Sequence, residues 1–66
     1  MRGEVKWFNP SKGFGFILGE DKQDYFVHFK SIKIPGYKTL EQTQQVEFIP
    51  TKGAKGMMAD SVTLLT

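Results

Sequence analysis

Two stretches of the sequence decide the fold: Lys12-Gly13-Phe14-Gly15-Phe16-Ile17 and Asp24-Tyr25-Phe26-Val27-His28-Phe29. Both are rich in aromatic and β-branched residues, which favour strands. The polar run 19–23 between them predicts a tight connection, so the two strands should pair antiparallel. Successive side chains on a strand point to opposite faces. One face of this pair therefore carries Ile17, Val27 and Tyr25, and the other carries Phe14, Phe16, Phe26 and His28.

Only one of these two faces can line the interior of a small barrel. Ile and Val are among the residue types most often fully buried, whereas three Phe rings and an imidazole would overfill a narrow interior. We therefore assign Ile17, Val27 and Tyr25 to the core. The aromatic face is left on the surface, where a contiguous apolar patch usually marks a binding site.

The rest of the chain adds three short predicted strands and no pattern with helical spacing. Apolar residues favour strands at Val5–Phe8, Gln45–Ile49 and Met57–Leu65, and 30–44 reads as an irregular connection. Pro50 lacks an N–H for the ladder, so we expect the fourth strand to end at or just before it. With 66 residues, the chain should form one domain over 1–66, an all-β, five-stranded antiparallel barrel.

Composition excludes several classes of function. The chain has no Cys and one His, which excludes disulfides and cysteine-based zinc sites and leaves no basis for a metal or other cofactor. It has no paired carboxylates on one strand face and no phosphate loop, so it lacks the parts of an enzyme and implies no small-molecule substrate. No apolar run reaches the length of a membrane span or a leader, which predicts a cytoplasmic protein.

The surroundings of the rings indicate the ligand. The formal charge is +2, and lysines flank the aromatic segments at Lys6, Lys12, Lys38, Lys52 and Lys55. Ammonium groups can meet phosphates while flat rings stack on bases, and bases are accessible to rings only when they are unpaired. The predicted partners are single-stranded RNA and DNA.

The same residues resemble a known family. Lys6-Trp7-Phe8-Asn9, the two stretches above and Gly36-Tyr37-Lys38-Thr39-Leu40-Glu41 are similar, in order, to motifs of the bacterial cold-shock proteins. The resemblance implies a barrel of the oligonucleotide-binding (OB) type, binding to single strands, with pyrimidine-rich ones favoured, and a role as an RNA chaperone or regulator of gene expression in cold adaptation. We expect a monomer. By position it assigns binding to Lys6, Trp7, Asn9, Lys12, Phe14, Phe16, Asp24, Phe26, His28, Phe29, Tyr37, Lys38 and Lys55.

Some residues depart from that pattern or stay open. Tyr25 stands where the family has a smaller aliphatic residue, so its hydroxyl needs a partner or access to solvent. Thr43 replaces a turn glycine, and Met57-Met58 replaces Pro-Gln; we interpret both Met residues as packing residues. Trp7 would share the inner face of Val5 under strict alternation, unless a bulge turns it outward.

Two other binding folds compete with this interpretation. An RNA-recognition module also has a motif like 12–17, but its other aromatic motif comes earlier in the chain and it needs two helices. A barrel of the SH3 kind would grip proline-rich peptides between rings, but it would not need the flanking lysines. A peptide-binding assay separates the second alternative from a nucleic-acid-binding barrel.

Overall fold

The computed structural model describes residues 1–33, 40–54 and 56–65. Five strands appear in chain order: β1 (Arg2–Asn9), β2 (Phe14–Gly19), β3 (Asp24–His28), β4 (Gln45–Gly53) and β5 (Gly56–Leu64). A 3-10 turn, Phe29–Ser31, follows β3 where the sequence suggested one further strand residue. The strands close into a barrel in the order β1-β2-β3-β5-β4. No helix in these described parts is long and apolar enough to cross a membrane.

All neighbouring strands pair antiparallel except β3 and β5, which are parallel. Parallel neighbours need a long crossover connection. Here the crossover contains the 3-10 turn and all of β4, and this ordering brings β5 beside β3 to close the barrel.

The β2–β3 hairpin has the two faces that alternation predicts. Phe16 pairs with Phe26 and Ile17 pairs with Tyr25. Ile17 and Val27 are fully buried and Tyr25 is 2% exposed, whereas the Phe side chains of the other face are half-buried. The assignment of the aliphatic face to the interior is confirmed.

A β-bulge in β1 determines the orientation of Trp7. The register with β2 shifts between the pairs Val5↔Ile17 and Trp7↔Phe16, so Lys6 is the extra residue of the bulged strand. A bulge resets the alternation of side chains. Val5 is therefore buried while Trp7 is 43% exposed on the same surface as Phe16.

The prediction that β4 ends at Pro50 is wrong. The strand continues to Gly53, and Pro50 pairs with Ala59 of β5. Gly53↔Gly56 closes the hairpin as a hydrogen-bonded pair. Hydrogen-bonded and non-hydrogen-bonded pairs then alternate along the two strands, and Pro50↔Ala59 is the third pair after it. Pro50↔Ala59 is then a non-hydrogen-bonded pair, so the nitrogen of Pro50 points away from β5. β1 pairs only with residues 45–47 of β4, so this nitrogen faces an unpaired edge, where proline removes no ladder bond.

The core lies inside the barrel and includes residues from the irregular connection. Ile32 and Leu40 are buried with residues from all five strands, and Ile32 bridges to Val62 of β5. The buried Tyr25 ring packs against Phe48, with centroids 4.9 Å apart, and its hydroxyl donates to Asp21 Oδ2 at 2.6 Å. The hydroxyl thus has the partner that its burial required.

Thr43 occupies a conformation that favours glycine. Its φ is +69°, at the third position of a turn closed by the bond from the Gln44 N–H to the Glu41 carbonyl. A β-branched residue in the left-handed region is a steric outlier. The Thr43 N–H donates to the Val5 carbonyl at 2.8 Å, which ties the turn to β1 and holds this conformation.

Candidate nucleic-acid interface

One row of side chains crosses the outer surface of the barrel over all five strands. Going around the barrel from one strand to the next, each member is the register partner of the one before it: Trp7 with Phe16, Phe16 with Phe26, Phe26 with Met58, and Met58 with Thr51. Partners on neighbouring strands place their side chains on the same face. We call this set, Trp7-Phe16-Phe26-Met58-Thr51, the outer row.

Four rings at one end of the outer surface form a continuous cluster. Trp7, Phe14, Phe16 and Phe26 have neighbouring centroids 5.5–6.1 Å apart, and their ring planes are tilted or edge-on to one another. Such offset geometries are favourable for aromatic pairs. Each ring is held in place by its neighbours while part of it remains accessible, as a rigid stacking surface requires. We call these rings the aromatic cluster.

His28 and Phe29 extend the cluster past Phe14. Phe14 pairs with His28, whose ring centroid lies 4.6 Å from that of Phe29. The Lys30 N–H donates to His28 Nδ1 at 3.3 Å, so in the neutral ring Nε2 carries the proton and can donate to a ligand. Phe29 is 39% exposed.

Gly13 provides the room for the Phe29 ring. Its φ is +79°, and a Cβ at this position would lie 2.7 Å from Phe29 Cδ1. The Phe29 N–H donates to the Gly13 carbonyl at 2.8 Å. A side chain on Gly13 would displace the ring, so this glycine positions Phe29.

Two predicted binding residues, Lys6 and Asp24, form an ion pair. The Lys6 Nζ lies 3.1 Å and 3.3 Å from the two carboxylate oxygens of Asp24 at one end of the aromatic cluster. Both side chains are about half exposed, 45% and 53%, so the pair is solvated and contributes little to stability. Lys6 and Asp24 are therefore available to a ligand at small cost.

Asn9 has a structural role at the turn between β1 and β2. Its Oδ1 accepts from the Lys12 N–H at 3.1 Å, and its carbonyl accepts from the Gly13 N–H at 2.8 Å. These bonds form the local turn that asparagine commonly caps. The exposed Lys12 is presented at this turn, beside the start of β2.

Three predicted site residues, Tyr37, Lys38 and Lys55, lie outside the described residues. In the described ranges, no three His, Asp or Glu side chains come close enough to hold a metal ion.

A groove continues from the aromatic cluster toward the β4–β5 turn. It has a volume of about 690 Å³, and its described lining consists of Phe16, Asp24, Phe26, Ala54, Gly56, Met57 and Met58. Met57 also packs against the core, as the sequence predicted. Met58 instead lies on the outer surface, and this position was missed.

Alternation in β5 could have located Met58. Ala59 is buried, so its neighbour Met58 must point outward. Ala59 and Val62 are both buried although three residues apart, because a bulge near Ser61, with φ +50°, shifts the register. That irregularity hides the face assignment when β5 is read as a sequence alone.

Comparisons with known proteins agree with this geometry. Residues 1–65 match the model of the "cold-shock" DNA-binding domain. The chain is 57% identical over 65 residues to the cold shock-like protein CspC of Bacillus cereus, covering 98% of this chain and 100% of the relative. It is 56% identical over 66 residues to the cold shock-like protein CspE of Escherichia coli K12, covering 98% and 96%. It is 54% identical over 63 residues to the cold shock protein CapB of Pseudomonas syringae pv. tomato, covering 96% and 91%.

A solved structure supports the fold independently. Drosophila Unr CSD456 aligns with a TM-score of 0.75 at 19% identity, over 98% of this chain and 26% of that much longer chain. At this identity the match concerns the fold alone, and it agrees with the OB-type barrel. The family match spans nearly the whole sequence, and the aromatic cluster lies on the surface where a ligand can reach it. The chain therefore belongs to the cold-shock DNA-binding domain family, whose members bind nucleic acid.

Proposed function

We propose that the protein binds single-stranded RNA and DNA by stacking unpaired bases on the aromatic cluster. The observation that carries the proposal is the accessible set of four rings, which covers parts of three neighbouring strands. Stacking of a base on an aromatic side chain contributes about 1–3 kcal/mol and tolerates any base. His28 and Phe29 extend the platform, and Lys6 and Lys12 supply charge at its margins. We also assign Tyr37, Lys38 and Lys55 to the proposed binding site, because they match the family motifs.

The spacing of the rings supports a single strand over a duplex. Neighbouring centroids are 5.5–6.1 Å apart, whereas consecutive bases of one strand in B-DNA rise about 3.4 Å. A strand whose bases rest on successive rings must be stretched, with its own base stacking broken. Pairing in a duplex opposes both changes, so a duplex should bind weakly.

A fluorescence titration of Trp7 tests this proposal. The chain has one Trp, and it belongs to the aromatic cluster, so its emission reports directly on that surface. We expect quenching by oligothymidylate and by an unstructured RNA, and little change with a duplex of equal length. A proline-rich peptide serves as the comparison ligand. Quenching by the peptide alone, or equal binding of single strand and duplex, would contradict the proposal.

We infer a biological role from the same binding mode. A protein that binds stretched single strands shifts weak RNA hairpins toward their open form, which is the action of an RNA chaperone. We place this function in the cytoplasm and assign it to one cold-shock domain over 1–66 that acts as a monomer. We propose that it needs neither catalysis nor a cofactor, and that pyrimidine-rich strands are preferred. Unfolding of a fluorophore-labelled RNA hairpin tests the chaperone role, and sedimentation of the complex tests its stoichiometry.

A further inference from the structure

We propose that Pro50 prevents an unpaired edge of β4 from pairing with the same edge of a second copy of this protein. The partner that such an edge fits is another β-strand, and proline removes a donor that this pairing needs. The inference goes beyond the proposed binding of single strands, because it concerns contact between copies and is tested without nucleic acid.

The unpaired edge arises because β4 extends further than the strand beside it. β1 pairs with residues 45–47 of β4, and the last contact on this side joins the backbones of Met1 and Phe48 at 2.6 and 2.7 Å. β4 continues beyond this contact to Gly53. In the described part of the chain, no residue pairs with this side of residues 50–52. We call the backbone of 50–52 on this side the free edge.

The pairing with β5 determines which groups the free edge presents. Pro50 and Lys52 form non-hydrogen-bonded pairs with β5, opposite Ala59 and Met57. Their backbone groups therefore point away from β5. The free edge presents the carbonyl groups of both residues, but Lys52 supplies its only N–H, since proline has none.

A second copy would meet this edge in a defined register. Antiparallel pairing about a two-fold axis at Thr51 would place Pro50 of each copy opposite Lys52 of the other. Each such pair needs two bonds, one from each N–H to the opposite carbonyl. Lys52 can donate to the Pro50 carbonyl, but Pro50 cannot donate in return. Half of the bonds are lost, and pairing would remove water from carbonyl groups that gain no donor.

The sequence of β4 makes such protection necessary. Residues 46–49 are mostly strand formers, and the Ile49 side chain is 59% exposed. An unpaired edge beside an exposed apolar side chain is a template for pairing with another chain. Proline and lysine are the residues with which natural proteins block such edges, and Pro50 and the exposed Lys52 stand at the two positions whose backbones face outward.

Sedimentation equilibrium without nucleic acid tests the proposal. The wild type should remain a monomer as its concentration is raised, whereas the mass of Pro50→Val should rise toward twice the monomer value. Thr51→Val is the matched control, because it places the same side chain on the exposed side of β4 and adds no N–H to the free edge. This control should remain monomeric, and association equal to that of Pro50→Val would overturn the proposal.

A double variant separates the missing N–H from the new side chain. Pro50→Val combined with Lys52→Pro moves the proline two residues along the free edge, where it again removes no bond to β5. Half of the bonds between copies are lost once more, so the double variant should be monomeric despite its lower charge. Association as strong as that of Pro50→Val would show that the N–H is not the cause.

Amide NMR locates the contact and completes the test. In Pro50→Val, the signals of residues 50 and 52 should shift with concentration, and shifts confined to another surface would overturn the proposal. If this variant does not fold, Pro50→Ala restores the same N–H with a smaller side chain and should associate in the same way.

The outcomes distinguish this inference from the proposed function. Folded variants at Pro50 that stay monomeric at every concentration would overturn the inference alone. A wild type that dimerises through the free edge would overturn both the inference and the proposed monomer. Failure of the wild type to bind single strands would concern the proposed function only.

Discussion

Phe16 and Ile17 are neighbours on β2, yet they belong to opposite regions of the molecule. Ile17 is fully buried among the core residues of the barrel, whereas Phe16 contacts Trp7 and Phe26 on the outer surface. A shift of the strand register by a single residue would move Phe16 to the inside of the barrel and Ile17 to the outside. The larger hydrophobic side chain is on the outside, so hydrophobicity alone does not decide which side chain of this pair is buried; the volume available inside the barrel also matters.

The largest effect should come from the inner face. Ile17→Ala removes a fully buried side chain and should lower the free energy of unfolding by about 2–5 kcal/mol. A core of this size supplies only a few kcal/mol, so the variant should be partly or wholly unfolded at room temperature. Thermal denaturation followed by circular dichroism measures this, and the milder Ile17→Val should lose about 0.5–1.5 kcal/mol.

Substitutions on the outer face should mainly weaken the binding of a single strand. Phe16→Ala removes one stacking platform and should weaken binding of a single strand by about 1–3 kcal/mol. Its loss of stability should stay below the roughly 3–5 kcal/mol that is typical of a buried Phe. Titration and thermal melting of the same sample check both quantities. A variant that unfolds while Ile17→Ala remains stable would show that the faces have been assigned the wrong way round.

Alternation was enough to predict these two faces because β2 and β3 are regular and form a short hairpin. It failed where the register shifts. The bulge at Lys6 left Trp7 undecided, and the bulge near Ser61 concealed the outward position of Met58. Pro50 was misjudged because the direction of its nitrogen depends on which neighbour pairs with β4. Ile32 and Leu40 were missed as core residues because no periodicity marks a buried side chain in an irregular connection.

A substitution at Thr43, in the turn before β4, should change stability by less than those above, and it should raise stability instead of lowering it. Thr43→Gly relieves a β-branched side chain at φ +69° and should raise the free energy of unfolding by about 0.5–1 kcal/mol, after the entropy that glycine adds to the unfolded chain. Lys22, also at φ +69°, is a matched control with an unbranched side chain. Lys22→Gly should stabilise less, and an equal or larger gain there would contradict the argument from branching.

The bond between Tyr25 and Asp21 should make stability depend on pH at both extremes. The hydrogen bond from the Tyr25 hydroxyl lowers the pKa of Asp21 below its usual 3.8, so the stabilisation is present above that value and is lost as pH falls through the folded pKa. The same bond raises the pKa of Tyr25 above 10.0, so the stabilisation is present below pH 10 and is lost as pH rises through the folded pKa.

Thermal melting of wild type and Tyr25→Phe across pH tests this dependence. The wild type should melt higher at neutral pH, and the difference should shrink below pH 3.8 and above pH 10.0. A difference that is independent of pH would mean that ring packing, and not the hydrogen bond, distinguishes the two proteins.

The smallest effect is expected at Pro50. Pro50→Val places an N–H on an edge that no described strand covers, away from the aromatic cluster, and should leave affinity for a single strand almost unchanged. Titration of Trp7 compares the two proteins. A large loss of affinity in a folded variant would show that this part of β4 shapes the binding surface.

The parallel pairing of β3 and β5 has a consequence for the dynamics of the barrel. Among the described residues, these strands share the register pair Phe26↔Met58, and a separate bridge joins Ile32 to Val62, whereas β4 and β5 pair along most of their length. Segments with few cross-strand bonds open at the lowest free energy, so amide hydrogen exchange should be fastest along this junction. A single strand stacked on the aromatic cluster, as proposed above, would contact Phe26 on the β3 side of this junction and restrain it. Binding should therefore slow exchange at these amides even though no protein hydrogen bond is added.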